Sequence, residues 1–500
     1  MSITGPGSIT ASNLLAQNNM MTQLNTLSQQ LGTGEAATTY SGLGSQAGLS
    51  LQLSAQLAAI SGYSNTANTV GTTLSIGQSV LNQIGSLSST LQQTISQQGS
   101  FTLDNDGQSE TQSDAASYLD QILSLLNTQV GGNYLFSGSA VNDPSVASTD
   151  AILNGNGSQA GLTQVIAARL QADQGSNGLG RLDAPTLSGS TVSVSQEDAN
   201  SPFGFQLAGV SSTLNGATVS GPSGSPPSMS VDLTSNPTAG SVTFNLTLPD
   251  GSSQAITLTA TTSASPGANE FSIGTNAAAT AANLQTSLTS AISSLAQTAL
   301  PAASAIAAAN NFFSDPPQVI SGTPATATSL TDGTQANTVF WYTGENGSTP
   351  ALQTAVAQVG PSATVAYGMR ATEPAISSLL ANVAVLAATS YSTSDPNAQA
   401  SYQALCQSVQ QNLSGPSGAQ TISDLEANLA NAQTTISNAT TLNTQTQNTL
   451  QDLLQGIDGV NQNQIGEDIL TLQNNLSASM SVTARLAQMS LVNYLAPVSG

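Results

Sequence analysis

The stretch Leu24–Gly44, LNTLSQQLGTGEAATTYSGLG, opens as an amphipathic helix and turns quickly into glycines, alanines and hydroxyls. Leu24, Leu27 and Leu31 recur at steps of three and four, which places them on one helical face. Beyond Leu31 there is little left to pack, and Glu35 is the only charge. Most helix stability comes from burying an apolar face, so this stripe needs a partner from another part of the chain or from another molecule. Glycines in the segment that follows allow a sharp exit and close backbone approach. Its hydroxyls can satisfy their own backbone where no core is available.

Outward from this stretch the pattern stays helical. Leu14, Met21, Leu24 and Leu31 mark the first stripe. Leu49, Leu53, Leu57, Ile60, Val70, Leu74, Leu81, Ile84, Leu91 and Ile95 mark a longer one. A third helix is expected near Ser113–Val130, after a turn in GSFTLDNDGQSE. The far end mirrors this. Leu425, Leu429, Ala432, Ile436, Ala439, Leu450, Leu453, Ile457 and Val460 follow alternating steps of four and three, with Asn443 and Thr446 as interruptions. That is a coiled-coil seam with a polar notch. A last stripe, Ile469, Leu472, Leu476, Met480 and Leu486, is expected to run out near Leu495. The two sets of stripes, far apart in sequence and alike in pattern, are expected to pair.

Between them the grammar changes. TVSVS, SVTFNLTL and AITLTATT are β-type runs, and Asp250-Gly251 between the last two is a hairpin signal of type I′. The alanine-rich segment from Thr275 to Asn310 reads as helix, with Leu284, Leu288, Ile292 and Leu295 on one face. The fold class is therefore α+β: a long antiparallel helical bundle or coiled coil built from both termini, with a variable, mainly β insertion in the middle.

Charge limits function. The 500 residues hold 4 Lys+Arg against 26 Asp+Glu, a formal net charge of −22, with no histidine. The cations are Arg169, Arg181, Arg370 and Arg485, and there is no lysine. Nucleic acid and anionic membrane surfaces need clustered basic residues, so neither is an expected partner. Without histidine or lysine the commonest general base and Schiff-base chemistry are missing, so no enzyme activity and no cofactor are expected. Cys406 is alone, which precludes an intrachain disulfide, and it reads as a small buried apolar residue. The amino-terminal stretch lacks a basic n-region and a continuous apolar core, unlike a cleavable secretory signal. No window has the apolar length of a membrane span.

Other motifs are weak. DNDGQSE (Asp104–Glu110) departs from the EF-hand order of acidic residues and reads better as a solvated turn than as a calcium loop. Glu197 and Asp198 are adjacent, so on a strand they would point to opposite faces and are not expected to share a catalytic site. SGYS and SGLG are not nucleophile elbows without a histidine. The Ser/Thr/Asn-rich middle is a weak candidate for O-linked sugars.

The two ends carry a resemblance. LNTLSQQLGTGEAATTYSGLG resembles the amino-terminal signature of flagellin-type proteins. GNYLFSGSAVNDPSV (Gly132–Val146) and the ending LSASMSVTARLAQMSLVNYL resemble the hook-associated protein 3 family, the hook–filament junction proteins of the flagellin superfamily. The likeness covers about the first 145 and last 130 residues, and the middle matches no motif. It departs from the family in lacking the usual charges around the first turn.

The resemblance implies a structural component of the bacterial flagellum, extracellular and exported without a cleavable signal, that joins hook to filament. It implies self-assembly through the terminal helices, with a neighbouring hook-associated protein, flagellin, the export apparatus and a chaperone as partners. Residues 1–44 would be a polymerisation helix and linker, and 45–150 the first half of a helical stalk with a β-hairpin. Residues 151–365 would be the variable domain, 366–461 the second half of the stalk and 462–500 the closing polymerisation helix. Subunit contacts would fall on Leu14, Met21, Leu24, Leu27, Leu31, Leu472, Leu476, Met480 and Leu486. The alternatives are a flagellin filament subunit and, from another class, a secreted adhesin or carbohydrate-binding protein.

Overall fold

The computed structural model describes residues 6–97, 101–415 and 418–494. The expected end of the last stripe, Leu495, lies outside them. Along the chain come α1 (Pro6–Thr33), α2 (Ala47–Ser96), α3 (Glu110–Leu126), the hairpin β1 (Gln129–Val130) and β2 (Asn133–Tyr134), α4 (Thr149–Asn154) and α5 (Leu162–Gln174). The strands β3 (Thr186–Ser188), β4 (Thr191–Ser195), β5 (Gln206–Ser212), β6 (Ala217–Ser223), β7 (Ser228–Leu233), β8 (Ser241–Thr247), β9 (Ser253–Thr261) and β10 (Glu270–Ser272) follow. Then come α6 (Ala277–Gln297), α7 (Ala299–Phe312), β11 (Gln318–Ile320), β12 (Leu330–Asp332), β13 (Val356–Gln358) and β14 (Thr364–Ala366). Four helices close the chain: α8 (Pro374–Ala388), α9 (Ala398–Leu413), α10 (Ile422–Asp458) and α11 (Gln462–Tyr494). The α+β class with long helices at both ends holds.

The contacts divide the chain into two units. One comprises residues 1–70, 357–365 and 434–500; the other comprises 71–356 and 366–433. In the larger unit, β10-β9-β8-β5 and β3-β4-β7-β6 form two four-stranded sheets, antiparallel except for the β9–β10 pair. Alternation sends Val192, Val194, Val231, Leu233, Val242, Phe244, Leu246 and Leu258 inward while Ser and Thr face out. Leu284, Leu288, Ile292 and Leu295 of α6 join that core, as the stripe predicts.

Two local expectations change. The alanine-rich helix is broken at Thr298, because Pro301 cannot donate in the first turn of α7 and restricts the residue before it. The β8–β9 connection is not a two-residue I′ turn. Pro249 fixes its own φ, Gly251 alone turns left-handed at φ +84°, and Gly251 N–H donates to Leu248 O at 2.9 Å. This is a three-residue loop with glycine at its bulge. The expected third helix also shifts, to Glu110–Leu126. It starts early because Ser109 and Gln112 form a reciprocal capping box, and it ends before the β1–β2 hairpin, where Gly131 and Gly132 both have positive φ.

The arginines are mostly structural. Arg169 meets Asp173 at 2.8 Å, and Arg370 meets Glu345 at 2.9 Å. Arg181 lies 3.6 Å from both Glu197 and Asp198. Both acids follow the end of β4, so strand alternation does not govern them, and what they share is an ion-pair partner. Burial pushes the Asp173 carboxyl above its ordinary value, against the pull of Arg169. Asp104 closes its turn by accepting the amides of Asp106 and Gln108, both at 2.9 Å. Cys406 is buried on α9. Among the described residues no single helix is long and apolar enough to cross a membrane.

Candidate assembly surface

The smaller unit is built from four helical segments. Leu53, Ile60 and Leu450 are buried between α2 and α10, with Leu57, Tyr63, Leu454 and Ile457 packed around them. The polar notch at Asn443 has a specific use: its Nδ2 donates 2.8 Å to Val359 O in the turn after β13, and the side chain is buried. A polar group in a seam that finds a backbone partner fixes register at little cost.

The other two segments, α1 and α11, pack against each other. On α1 the sheltered side chains are Asn13, Gln17, Met20, Leu24, Leu27 and Gln30. On α11 they are Ile465, Ile469, Leu472, Leu476, Ser479, Thr483 and Leu486, in unbroken steps of four and three. The seam has its own polar notch, where Gln17 Nε2 donates to Ser479 Oγ at 3.3 Å and Thr483 Oγ1 at 3.0 Å. No side chain is fully buried between positions 11 and 33 or 462 and 488. Half-burying a leucine contributes roughly 1 kcal/mol, so this two-helix pair has little to offset the ordering of two long helices.

The segment quoted at the outset ties the two pairs together. Gly34, at φ +73°, takes the chain out of α1 in a left-handed conformation that a side chain resists. Glu35 forms a β-bridge with Gly459 at the α10–α11 break. Ala36 N–H donates to Asp458 O at 2.6 Å, and Val460 N–H donates to Gly34 O at 3.1 Å. Gln30 Nε2 reaches Ala36 O at 2.7 Å. The small residues are there because one backbone docks on another.

The nine residues expected at subunit contacts divide in two. Leu24, Leu27, Leu472, Leu476 and Leu486 are half-buried along the α1–α11 seam. Leu14, Met21, Leu31 and Met480 are exposed, at 57%, 48%, 38% and 47%. Hydropathy selects Leu14 and Met21, whereas the seam uses their neighbours Asn13 and Met20. In the same way Ser50 is buried where Leu49 was expected, and Leu454 is sheltered where Leu453 was expected. The displaced leucines stay outside. Of fourteen exposed large apolar side chains among the described residues, twelve lie in this smaller unit. They include Leu15, Leu470 and Val482, which the sequence reading missed.

The motif GNYLFSGS is a brace within the larger unit. Phe136 is buried, and its carbonyl accepts from Ala371 N–H at 2.9 Å. Gly138 N–H donates to Met369 O at 3.0 Å, and Glu345 N–H donates to Ser137 O at 2.9 Å. Ser139 N–H donates 2.8 Å to Glu345 Oε2, and chiefly this bond holds that carboxyl below its usual range. Three distant segments meet at one turn.

Residues 7–141, from α1 through this brace, match the family model of the bacterial flagellin N-terminal helical region. That stretch is similar to a flagellin amino-terminal region. The likeness supports the flagellin superfamily, and the match ends at Val141, just past the SGSA turn. No curated protein matches the chain. The matched stretch holds seven of the twelve exposed large apolar side chains described in the smaller unit.

Proposed function

We propose that this chain is a structural, non-catalytic subunit of the bacterial flagellum, exported by the flagellar apparatus and assembled outside the cell at the hook–filament junction. The observation that carries the structural role is the distribution of apolar surface. Among the described residues, twelve of fourteen exposed large apolar side chains sit in the unit that contains the flagellin-like terminal helix. Apolar side chains left in solvent and concentrated in one unit point to a site of association. The nine stripe residues serve as contacts in this reading: five hold α1 to α11, and Leu14, Met21, Leu31 and Met480 face neighbouring copies.

The junction role rests on the GNYLFSGS brace and the LVNYL ending, which resemble junction proteins. The filament-subunit reading has its own support in the family match to flagellins. Deleting the gene separates the two. Loss of a junction subunit leaves bare hooks and releases flagellin into the medium, because filament subunits lose their seat. Loss of a filament subunit shortens or removes filaments without that leak. Intact filaments and normal swimming, with no second copy in the genome, would refute both.

A further inference from the structure

Three of the four arginines are buried and paired with carboxylates within the chain. The fourth, Arg485, is exposed on α11 and forms no ion pair among the described residues. On a chain of net charge −22, an exposed lone cation on an association unit is a conspicuous choice. Its position is also specific. Glu467, on the same helix, lies eighteen residues earlier and is exposed. Eighteen residues make five turns at about 3.6 per turn, so Glu467 and Arg485 share one face, separated by about 27 Å along the axis. That face also carries Leu470 and Val482, exposed at 62% and 51%. It lies opposite the Leu472–Leu476–Thr483 side that meets α1. The outer face of α11 thus presents an acid at one end and a base at the other, with Leu470 one turn inside the acid, Val482 one turn inside the base, and Asn474, Ala478 and Ser481 between.

We propose that this face is a copy-to-copy docking surface on which neighbouring α11 helices run parallel, shifted by about 27 Å, so that Arg485 of one copy meets Glu467 of the next. The occupant is a second copy of this chain, identified by charge complementarity. The inference rests on the self-assembling reading above. An antiparallel pairing would satisfy both charges inside a closed dimer and stop. A parallel shift leaves one Glu467 and one Arg485 unpaired at the two ends, which is a head-to-tail contact that propagates.

The test uses the full chain with charge reversals. Arg485→Glu and Glu467→Arg each place like charges in contact, and each should raise the critical concentration for assembly at low salt about tenfold. Circular dichroism and thermal melting of the monomers should match wild type, since both side chains are exposed. An equimolar mixture of the two variants should assemble like wild type, because each supplies the charge the other lacks. Orientation is read separately. In a Cys406→Ser background, the double variant Glu467→Cys, Arg485→Cys should cross-link into a ladder of multimers. Closed dimers alone, or single reversals that assemble normally, would overturn the proposal and leave self-assembly standing. A wild-type chain that forms no assemblies under any salt condition overturns both.

Discussion

The Ser50 hydroxyl donates to Asp458 Oδ2 at 3.0 Å, joining residues 408 positions apart at the level where α1 gives way to its linker and α10 to α11. Asp458 Oδ1 is buried and has no hydrogen-bond partner, so this one bond carries most of the carboxylate's satisfaction. The same residue's carbonyl accepts from Ala36. Side chain and backbone of Asp458 therefore hold α2 and the linker at once.

Ser50→Ala should loosen that clasp. Leaving a buried acceptor unsatisfied costs about 1–3 kcal/mol. Amide hydrogen exchange at Ala36 and Val460 should accelerate, while exchange in the sheet β10-β9-β8-β5 stays unchanged. Unaltered protection at Ala36 would show that the side chain contributes nothing to the docking.

Leu476→Asp and Met480→Asp should differ in kind. Leu476 is half-buried on the seam, so a carboxylate there separates α1 from α11 within the monomer. Limited proteolysis should then trim both ends faster; trypsin is a poor choice with only four arginines. Met480 is exposed, so its variant should resist proteolysis like wild type and yet fail to assemble. Equal effects of the two on the monomer would contradict the division of the stripe.

Arg169→Ala should destabilise the larger unit by about 3–5 kcal/mol, because it leaves Asp173 buried without its countercharge. Adding Asp173→Asn should recover most of the loss, since an amide oxygen can still accept from Gly204 N–H, now 2.9 Å from Asp173 Oδ1. Urea unfolding followed by the fluorescence of the single, buried Trp341 reads both.

The pH dependence of the same carboxyl has an unusual sign. The folded Asp173 binds its proton more tightly than the unfolded one, because burial raises its pKa. Its contribution to stability is then greatest at low pH and is lost as pH rises through the raised value. Relative to Asp173→Asn, wild type should gain stability as pH falls from neutral toward the ordinary aspartate range. A difference that is flat or of opposite slope would mean that Arg169 outweighs burial.

Association should strengthen with added salt. Copies carrying −22 repel, and the Debye length falls from about 10 Å at 0.1 M to about 3 Å at 1 M. The deficit of Arg485→Glu should shrink over the same range, because screening weakens the contact it reverses. Light scattering against sodium chloride concentration reports both. Scattering that falls with salt would mean attractive pairs dominate between copies.

Much of this was legible in the sequence. Periodicity alone determined that both ends are long helices, that alternating strands and an alanine-rich helix lie between them, and that Leu284, Leu288, Ile292 and Leu295 share one core. The charge count determined that nucleic acid is not an expected partner. Hydropathy could not assign the seams, because a helix pair buries positions and not residue types. Asn13, Gln17, Ser479 and Thr483 sit inside the α1–α11 contact, since their side chains satisfy one another there or remain half-hydrated. Leu14, Met21, Leu49 and Leu453 sit one position off and stay in solvent. Likewise Glu197 and Asp198 converge on Arg181 only because the strand has ended, and the Gly34–Ala36 clasp on Asp458–Val460 depends on a turn more than four hundred residues away. Local pattern fixed which segments are helices and strands; only the docking of distant backbones decided which faces are covered and which are left for a neighbour.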